Sequence, residues 1–285
     1  MEYNKAANTC PEPAGVLVVI GGKEDKGDKK EEKNETREEI LKTFVGLIEK
    51  KNPRIEIITS GSSEGKEMFN DYKKVFAGLK AKNPGHIHHN ERKEVLSDEL
   101  TDRVNAADGF FFTGGDQLLL TSLYGGSKFL TQLKERYIYE KIVIGGTSAG
   151  AMALSTPMIY AGSKDEQDIT GQIKITMGLE FLKDVCIDTH FIDRDRFIRM
   201  AQVIATNPTS IGLGIEEDTA LIIRRGVEAE VIGNSIVTVI EGFEISSSNI
   251  TDFNSEQKLS LRDLRVHLLS KGSRYCIQQI NPPHK

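Results

Sequence analysis

The chain has 285 residues, of which 38% are hydrophobic and 28% charged, the ordinary balance of a globular protein. Its formal net charge of −5 at pH 7 argues against a general affinity for nucleic acid or for an anionic membrane, since both need a basic surface. The three cysteines form no CxxC pair, which disfavours a zinc ribbon or a disulfide scaffold. We therefore expect a soluble, cytoplasmic protein with no signal peptide, membrane span, metal or cofactor.

Apolar runs and helical patterns alternate through the first half of the sequence. VLVVIGG at 16–22 is typical of a buried parallel strand, and RIEIITSGSS at 54–63 and ADGFFFTGGDQ at 107–117 repeat an apolar run closed by a polar turn. Helical spacing predicts helices in REEILKTFVGLIEKK, in GKEMFNDYKKVFAGLKAKN and after position 118. The charged stretch KEDKGDKKEEKNETREE predicts a solvated loop. KIVIGGTSAGAMAL then predicts a strand, a turn and a helix.

This alternation predicts an α/β fold with a mostly parallel, doubly wound sheet and helices on both faces. The second half differs, because VCIDTHF, GLGIEEDTALII and AEVIGNSIVTVIEGFEIS predict strands joined by turns. Antiparallel pairs of these strands should finish the sheet or pack beside it. No linker rich in proline, glycine or serine divides the chain, so we expect one α/β domain over 1–285, with 1–13 as a loose N-terminal tail.

The turn around Ser148 is the first candidate for chemistry. Residues 146–150 match G-x-S-x-G, in which a serine nucleophile lies on a sharp turn between a strand and a helix. A purely structural turn, with Ser148 as an N-cap, fits the same residues. A phosphate loop fits less well, because Ala151 stands where the Walker lysine belongs and Gly145 and Gly146 are adjacent.

A serine nucleophile needs a base and an acid that orients it. His190 is the best base, since it ends the apolar run VCID, whereas His267 lies on an amphipathic segment and His284 in a proline-rich tail. The acid has two candidates, Glu166 in a charged stretch and Glu217 just before an apolar strand. The residues alone do not choose between them.

The histidines of HIHHN, at positions 86, 88 and 89, raise the question of a metal site. A lone H-x-H lacks the further ligands that a metal site needs. We therefore expect solvent-facing strand residues there and no metal.

Five stretches, in order, resemble a known family: GGKEDK, FFTGGDQ, GGTSAGAMAL, DTHFIDRDRFIRM and GIEEDTAL. They are similar to the cyanophycinases, whose serine peptidase family also contains the aspartyl dipeptidases, and the resemblance runs from about Val16 to about Val239. It implies a three-layer α/β sandwich related to the class I glutamine amidotransferases. The implied activity is hydrolysis of cyanophycin, a polyaspartate that carries arginine on each β-carboxyl, to β-aspartyl-arginine by a homodimer.

The resemblance also implies roles for individual residues. Ser148 would be the nucleophile, His190 the general base and Glu217 the preferred acid, with Glu166 as second choice. Gly115 and Ala149 would supply the N–H groups of an oxyanion hole. The positions that match a polar substrate pocket are Gln117, Asp188, Thr189, Arg194, Arg196 and Arg199. Thr189 stands where the family usually has glutamine, so this chain lacks that amide among the fine substrate contacts.

A simpler interpretation of Arg194, Arg196 and Arg199 is that they form the charged face of a helix. The apolar side of that helix is Phe197, Ile198, Ala201 and Ile204. In the functional reading the arginines bind carboxylates of the substrate, while Asp188 or Asp116 receives a guanidinium. The sequence thus predicts a serine exopeptidase acting on cyanophycin. An aspartyl or isoaspartyl dipeptidase and a non-catalytic binding protein on the same scaffold are the alternatives.

Overall fold

A computed structural model describes residues 11–26, 39–81, 83–162, 173–252 and 258–277 of the chain. Its helices, in chain order, are α1 (Glu39–Leu47), α2 (Gly65–Gly78), α3 (Arg92–Ser97), α4 (Thr101–Ala106), α5 (Gln117–Tyr124), α6 (Lys128–Tyr139), α7 (Ala149–Ala153) and α8 (Phe197–Thr206). None of these described helices is long and apolar enough to cross a bilayer.

The strands fall into an early and a late group. The early strands are β1 (Val16–Ile20), β2 (Ile55–Ile58), β3 (Gly85–Ile87), β4 (Gly109–Phe112) and β5 (Val143–Thr147). The late strands are β6 (Ser155–Thr156), β7 (Met158–Ala161), β8 (Lys174–Thr176), β9 (Leu182–Lys183), β10 (Val185–Thr189), β11 (Ile211–Ile215), β12 (Thr219–Arg224), β13 (Glu228–Gly233), β14 (Ile236–Glu241), β15 (Ser247–Ser248), β16 (Leu261–Arg262), β17 (Arg265–Ser270) and β18 (Arg274–Cys276).

The early strands form the parallel part of an eight-stranded sheet with the order β18-β13-β12-β1-β5-β4-β2-β3. The pairings from β1 to β3 in this order are parallel, whereas β12, β13 and β18 add antiparallel pairings at one side. Since β1 is flanked by β5 and β12, it lies inside the sheet, as its apolar sequence predicts. The fold is therefore a mixed α/β fold.

A second sheet of six strands, with the order β17-β14-β11-β10-β6-β9, lies beside the first. The sequence left open whether the late strands finish the sheet or pack beside it, and the structure does both. GLGIEEDTALII is divided between β11 in the second sheet and β12 in the first, and AEVIGNSIVTVIEGFEIS between β13 in the first and β14 in the second. The expected antiparallel pairings form between the two segments, β12 with β13 in the first sheet and β11 with β14 in the second.

Both faces of the larger sheet are buried. Val18 and Ile20 pack into a core shared with α1 and α2, while Leu17 and Val19 pack into a larger core that extends to the second sheet. Alternate residues of one strand point to opposite faces, so an apolar residue at every position of β1 supplies both cores. This burial holds the carboxyl ends of β1 and β5 side by side, with Ile20 opposite Thr147.

Candidate active site

Ser148 lies on the turn between β5 and α7, with φ 51° and ψ −119°. A non-glycine residue with positive φ is strained, and such strain is typical of a nucleophile presented on a sharp turn. The turn is held by its backbone, since the Ser148 N–H donates to the Ile20 carbonyl at 3.0 Å. A Cβ on Gly150 would lie 2.3 Å from the Phe112 carbonyl oxygen, so the small residues of the motif allow the close packing of the turn.

His190 follows β10 and brings its imidazole from the second sheet to Ser148 of the first. The serine Oγ lies 3.0 Å from Nε2 of His190. The His190 N–H donates to the Gly21 carbonyl at 3.0 Å, which ties the loop after β10 to the end of β1. The ring is 5% exposed and rests on Gly22, where a Cβ would lie 2.4 Å from Cε1 and Nε2. Glycine at this position, with φ 103°, leaves room for the imidazole of His190.

Glu217 completes a chain of three side chains at the crossing from β11 to β12. Its Oε1 lies 2.6 Å from Nδ1 of His190 and 2.8 Å from the Lys23 ammonium. Burial alone would raise the pKa of Glu217, but hydrogen bonds from Lys23 and His190 outweigh it and leave the pKa lowered. An ionised Glu217 that accepts from Nδ1–H leaves Nε2 free to accept the serine proton.

Glu216 and Lys23 support this arrangement, and neither was predicted from the sequence. Glu216 is 8% exposed and its carboxylate accepts from the backbone N–H groups of Ile192 at 2.5 Å and of Asp193 at 3.2 Å. It therefore fixes the loop that follows His190. The Lys23 hydrogen bond to Glu217 raises the pKa of the lysine. Both residues lie in stretches already noted in the sequence, Lys23 in GGKEDK and Glu216 in GIEEDTAL. Of the charged residues in these two stretches, only Glu217 had been predicted to act in the site.

The structure brings the turn of Thr113, Gly114 and Gly115 close to Ser148. A Cβ on Gly114 would lie 3.6 Å from Cβ of Ser148, and a Cβ on Gly115, whose φ is 137°, would lie 2.1 Å from the Gly61 carbonyl oxygen. Ala149 is the first residue of α7, so its N–H has no partner within the helix. The backbone around Gly115 and Ala149 thus flanks Ser148. Glu166, the second choice of acid, lies outside the described residues.

A cavity of about 380 Å³ opens over the serine and the histidine. Its described lining is Lys23, Glu24, Asp25, Lys26, Met68, Tyr72, Gly114, Thr147, Ser148 and His190. The volume is at the lower end of the range for small-molecule sites. The wall carries two lysines and two acidic residues, which suits a substrate that bears both charges.

Comparison with known proteins matches the chain to a family. The profile of Peptidase family S51 matches residues 26–232 of the chain. The chain belongs to peptidase family S51. Among curated relatives, the cyanophycinase of Geminocystis herdmanii is 32% identical over 259 residues, which cover 91% of this chain and 92% of the relative. The cyanophycinase of Synechococcus elongatus is 31% identical over 271 residues, covering 95% of this chain and 82% of the relative.

This S51 peptidase is similar in fold to the crystal structure of a peptidase from an acI-B1 Actinobacterium, with a TM-score of 0.62. The match covers 93% of this chain and 98% of that chain at 19% sequence identity. A putative peptidase E from Listeria monocytogenes superimposes with a TM-score of 0.51 and 17% identity, over 78% of this chain and 99% of that one. These likenesses concern the fold. Family membership and the cyanophycinase relatives identify the chain as a serine peptidase.

Two aspartates predicted to bind substrate in this S51 peptidase already have hydrogen-bond partners within the protein. Asp188 is fully buried and binds Arg199 through both oxygens, at 2.6 and 2.5 Å, and Arg196 through one oxygen at 2.7 Å. These groups neutralise one another, so Asp188 has no exposed carboxylate to receive a substrate guanidinium. Asp116 is likewise engaged, because its carboxylate caps α5 by accepting from the N–H groups of Leu118 and Leu119. Both carboxylates thus have structural partners in this structure, and their contact with a substrate guanidinium stays a prediction.

The remaining pocket candidates differ in position. Arg194 is exposed, and its charge acts on Lys23 of the cavity lining, where it opposes the rise in the lysine pKa. Gln117 donates its amide to the Ile159 carbonyl at 2.9 Å. The Thr189 hydroxyl is buried and has no hydrogen-bond partner within the described part of the chain. None of the six predicted pocket residues belongs to the described lining of the 380 Å³ cavity.

The prediction of solvent-facing histidines in HIHHN was wrong. His89 is 5% exposed and binds Tyr124 at 3.0 Å and Asp98 at 3.0 Å. His86 stacks on Phe69 with ring centroids 4.2 Å apart, and burial is the main reason why its pKa falls to about 4. In the described ranges, no group of three histidine, cysteine, aspartate or glutamate side chains is placed to hold a metal ion.

Proposed function

We propose that this serine peptidase is an exopeptidase that hydrolyses cyanophycin and releases β-aspartyl-arginine dipeptides. The observation that carries the proposal is the chain of contacts from Ser148 Oγ to His190 Nε2, at 3.0 Å, and from His190 Nδ1 to Glu217 Oε1, at 2.6 Å. It occurs in a sequence about 30% identical to proteins named cyanophycinase over more than nine-tenths of its length. The fitting assignment is Ser148 as nucleophile, His190 as base and Glu217 as acid.

In the proposed acylation step, Ser148 Oγ attacks a carbonyl of the polyaspartate backbone while its proton passes to Nε2 of His190. The C=O electron pair moves to the oxygen, and in this proposal the N–H groups of Gly115 and Ala149 stabilise the negative charge. The intermediate collapses when the C–N bond breaks and His190 returns its proton to the leaving amine. The products of this step are an ester on Ser148 and a free amino group.

The proposed deacylation step repeats the same proton transfers with water. His190 takes a proton from water as the oxygen attacks the ester carbon, and then donates it to Ser148 Oγ as the C–O bond breaks. Glu217 stays ionised throughout and holds the Nδ1–H tautomer. The lowered pKa of Glu217 supports this role, because the carboxylate remains charged at pH values where an ordinary glutamate begins to protonate.

The proposal extends to architecture and setting. We place the chain in a three-layer sandwich related to the class I glutamine amidotransferases, built as one domain, working as a homodimer in the cytoplasm. The burial of both faces of the larger sheet supports the layering. The shared core of the two sheets supports a single domain, because Ile187 of one and Leu221 of the other belong to the same cluster. Residues 1–10 of the predicted loose tail lie outside the described ranges.

The test is release of β-aspartyl-arginine from purified cyanophycin by wild type and by Ser148→Ala. We expect Ser148→Ala to lose at least about 1,000-fold in kcat and to keep the wild-type melting temperature, since it removes only the attacking atom. Full release of dipeptide by Ser148→Ala would refute the assignment. An aspartyl or isoaspartyl dipeptidase would instead cleave short Asp-X peptides and leave the polymer intact.

A further inference from the structure

A buried carboxylate that the mechanism does not use faces the cavity beside the nucleophile. Glu24 is 5% exposed and lines the same cavity as Ser148 and His190. It follows the carboxyl end of β1, and its Oε2 accepts from the hydroxyl of Thr147, the residue before the nucleophile, at 2.7 Å. Its place is therefore fixed within the site, although the sequence pattern assigned it to a solvated loop.

The partners of this carboxylate are neutral. Its second oxygen, Oε1, accepts from the Tyr72 hydroxyl, and burial together with Glu24 raises the Tyr72 pKa well above its usual range, which keeps that proton on the phenol. Among the described residues, no lysine, arginine or histidine nitrogen lies within 4.0 Å of Glu24. The two nearby lysines have other contacts, Lys23 with Glu217 and Lys26 over the Tyr72 ring at 4.2 Å.

A buried carboxylate ordinarily has a cation or a metal beside it, because removing its charge from water is costly. An ionised carboxylate offers about four lone pairs, and the two hydroxyls use two of them. Glu24 lines the cavity that opens over Ser148, so a group bound there lies next to this remaining capacity. We propose that Glu24 is a specificity-determining residue that binds a cationic group of the substrate, a guanidinium or an ammonium, next to the scissile bond.

The inference rests on the proposed function only for the identity of the substrate. That the bound group is a cation follows from the surroundings of Glu24. In an arginine-bearing polyaspartate, the cation is either the arginine side chain or the free amino terminus. Exchange of arginine for citrulline removes the first charge at nearly constant shape, and acetylation of the terminus removes the second. The cation that Glu24 binds is the group whose neutralisation lowers kcat/KM of wild type on the order of 100-fold. Glu24→Gln should lose most of this preference for the charged over the neutral substrate.

A second measurement does not depend on cyanophycin. Ser148 is labelled with a fluorophosphonate in the presence of ethylguanidinium or ethylammonium ions, and the slowing of labelling reports occupancy of the cavity. We expect protection in wild type and at least a 10-fold weaker protection in Glu24→Gln. The matched control, Asp71→Asn, removes an exposed carboxylate on α2 that acts electrostatically on Tyr72 but does not belong to the described cavity lining. It should keep most of the protection, because solvent screens that charge.

The outcomes separate the two ideas. If wild type labels at Ser148 but releases no dipeptide from cyanophycin, the proposed function fails, and the protection measurement still decides the role of Glu24. Equal protection of wild type and Glu24→Gln, or protection of neither, overturns the inference. An equal loss by Glu24→Gln on charged and neutral substrates overturns it too, because it indicates only support of Tyr72 and Thr147. Should Glu24→Gln fail to fold, wild type that does not prefer charged over neutral substrates refutes the inference.

Discussion

Gly22→Ala tests how the base is positioned without altering any of the three proposed catalytic residues. The new Cβ would lie 2.4 Å from Cε1 and Nε2 of His190, whereas non-bonded carbon atoms settle at about 3.5–4.0 Å. The ring must therefore retreat by about 1 Å. Because it is held between Ser148 at 3.0 Å and Glu217 at 2.6 Å, a shift of that size breaks at least one of the two hydrogen bonds. A misplacement of about 1 Å costs on the order of 100-fold in rate.

The substitution also strains the backbone, and a second glycine controls for that. Gly22 has φ 103°, and alanine with positive φ costs about 1–2 kcal/mol. Gly272 has φ 82°, but the Cβ that alanine would add there meets nothing within 4 Å, so Gly272→Ala carries similar strain without a collision. Each variant should melt a few °C below wild type, at roughly 2–4 °C per kcal/mol. Only Gly22→Ala should lose activity.

The assay is the rate of fluorophosphonate labelling at Ser148, together with kcat/KM on cyanophycin. We expect Gly22→Ala to lose on the order of 100-fold in both, and Gly272→Ala to match wild type at a temperature where both variants are folded. Wild-type labelling by folded Gly22→Ala would show that the ring tolerates the new methyl group. The positions given to Gly22 and His190 would then be wrong.

Two further substitutions test the charges around the site. Lys23→Met removes a hydrogen bond that lowers the pKa of Glu217, so this carboxylate should protonate at a higher pH. The acid limb of the plot of kcat/KM against pH should therefore move to higher pH, whereas Lys23→Arg should stay near wild type. Superimposable profiles of wild type and Lys23→Met would contradict this. Asp188→Asn leaves Arg196 and Arg199 without their buried counter-charge and should cost about 3–5 kcal/mol, seen as a melting temperature roughly 10 °C lower. A raised KM at an unchanged melting temperature would instead restore Asp188 to the substrate pocket.

The sequence predicted those features that depend on a few neighbouring residues, such as buried strands and the turn that carries Ser148. The apolar runs of β1, β4 and β5 lie inside the larger sheet, and the strand–turn–helix context of G-x-S-x-G placed Ser148 on its strained turn. His190 was the best base among three on the ground that it ends an apolar strand, and it is the histidine that lies beside the serine. Each of these conclusions needs only a few neighbouring residues.

Long-range partners are what the sequence did not reveal. Periodicity gave no sign that GLGIEEDTALII leaves one sheet for another, because an apolar strand in either sheet has the same pattern. The charged run after β1 predicted solvent, yet Glu24 is buried by Tyr72 and Thr147, residues that lie 48 and 123 positions away. The resemblance predicted that Asp188 binds substrate. Its pairing with Arg199 could not be read from the sequence, because it depends on how α8 packs against β10.

The central place of β1 has a consequence for how the chain is made. Its partners are β5 and β12, so the last of them leaves the ribosome about 200 residues after β1, which takes on the order of 10–40 s at ordinary rates of synthesis. During that time an apolar five-residue strand has at least one edge without its native neighbour, and open edges invite pairing with other chains. Slower translation lengthens this exposure. The yield of folded enzyme should therefore depend on chaperones that hold the first half of the chain until β12 arrives.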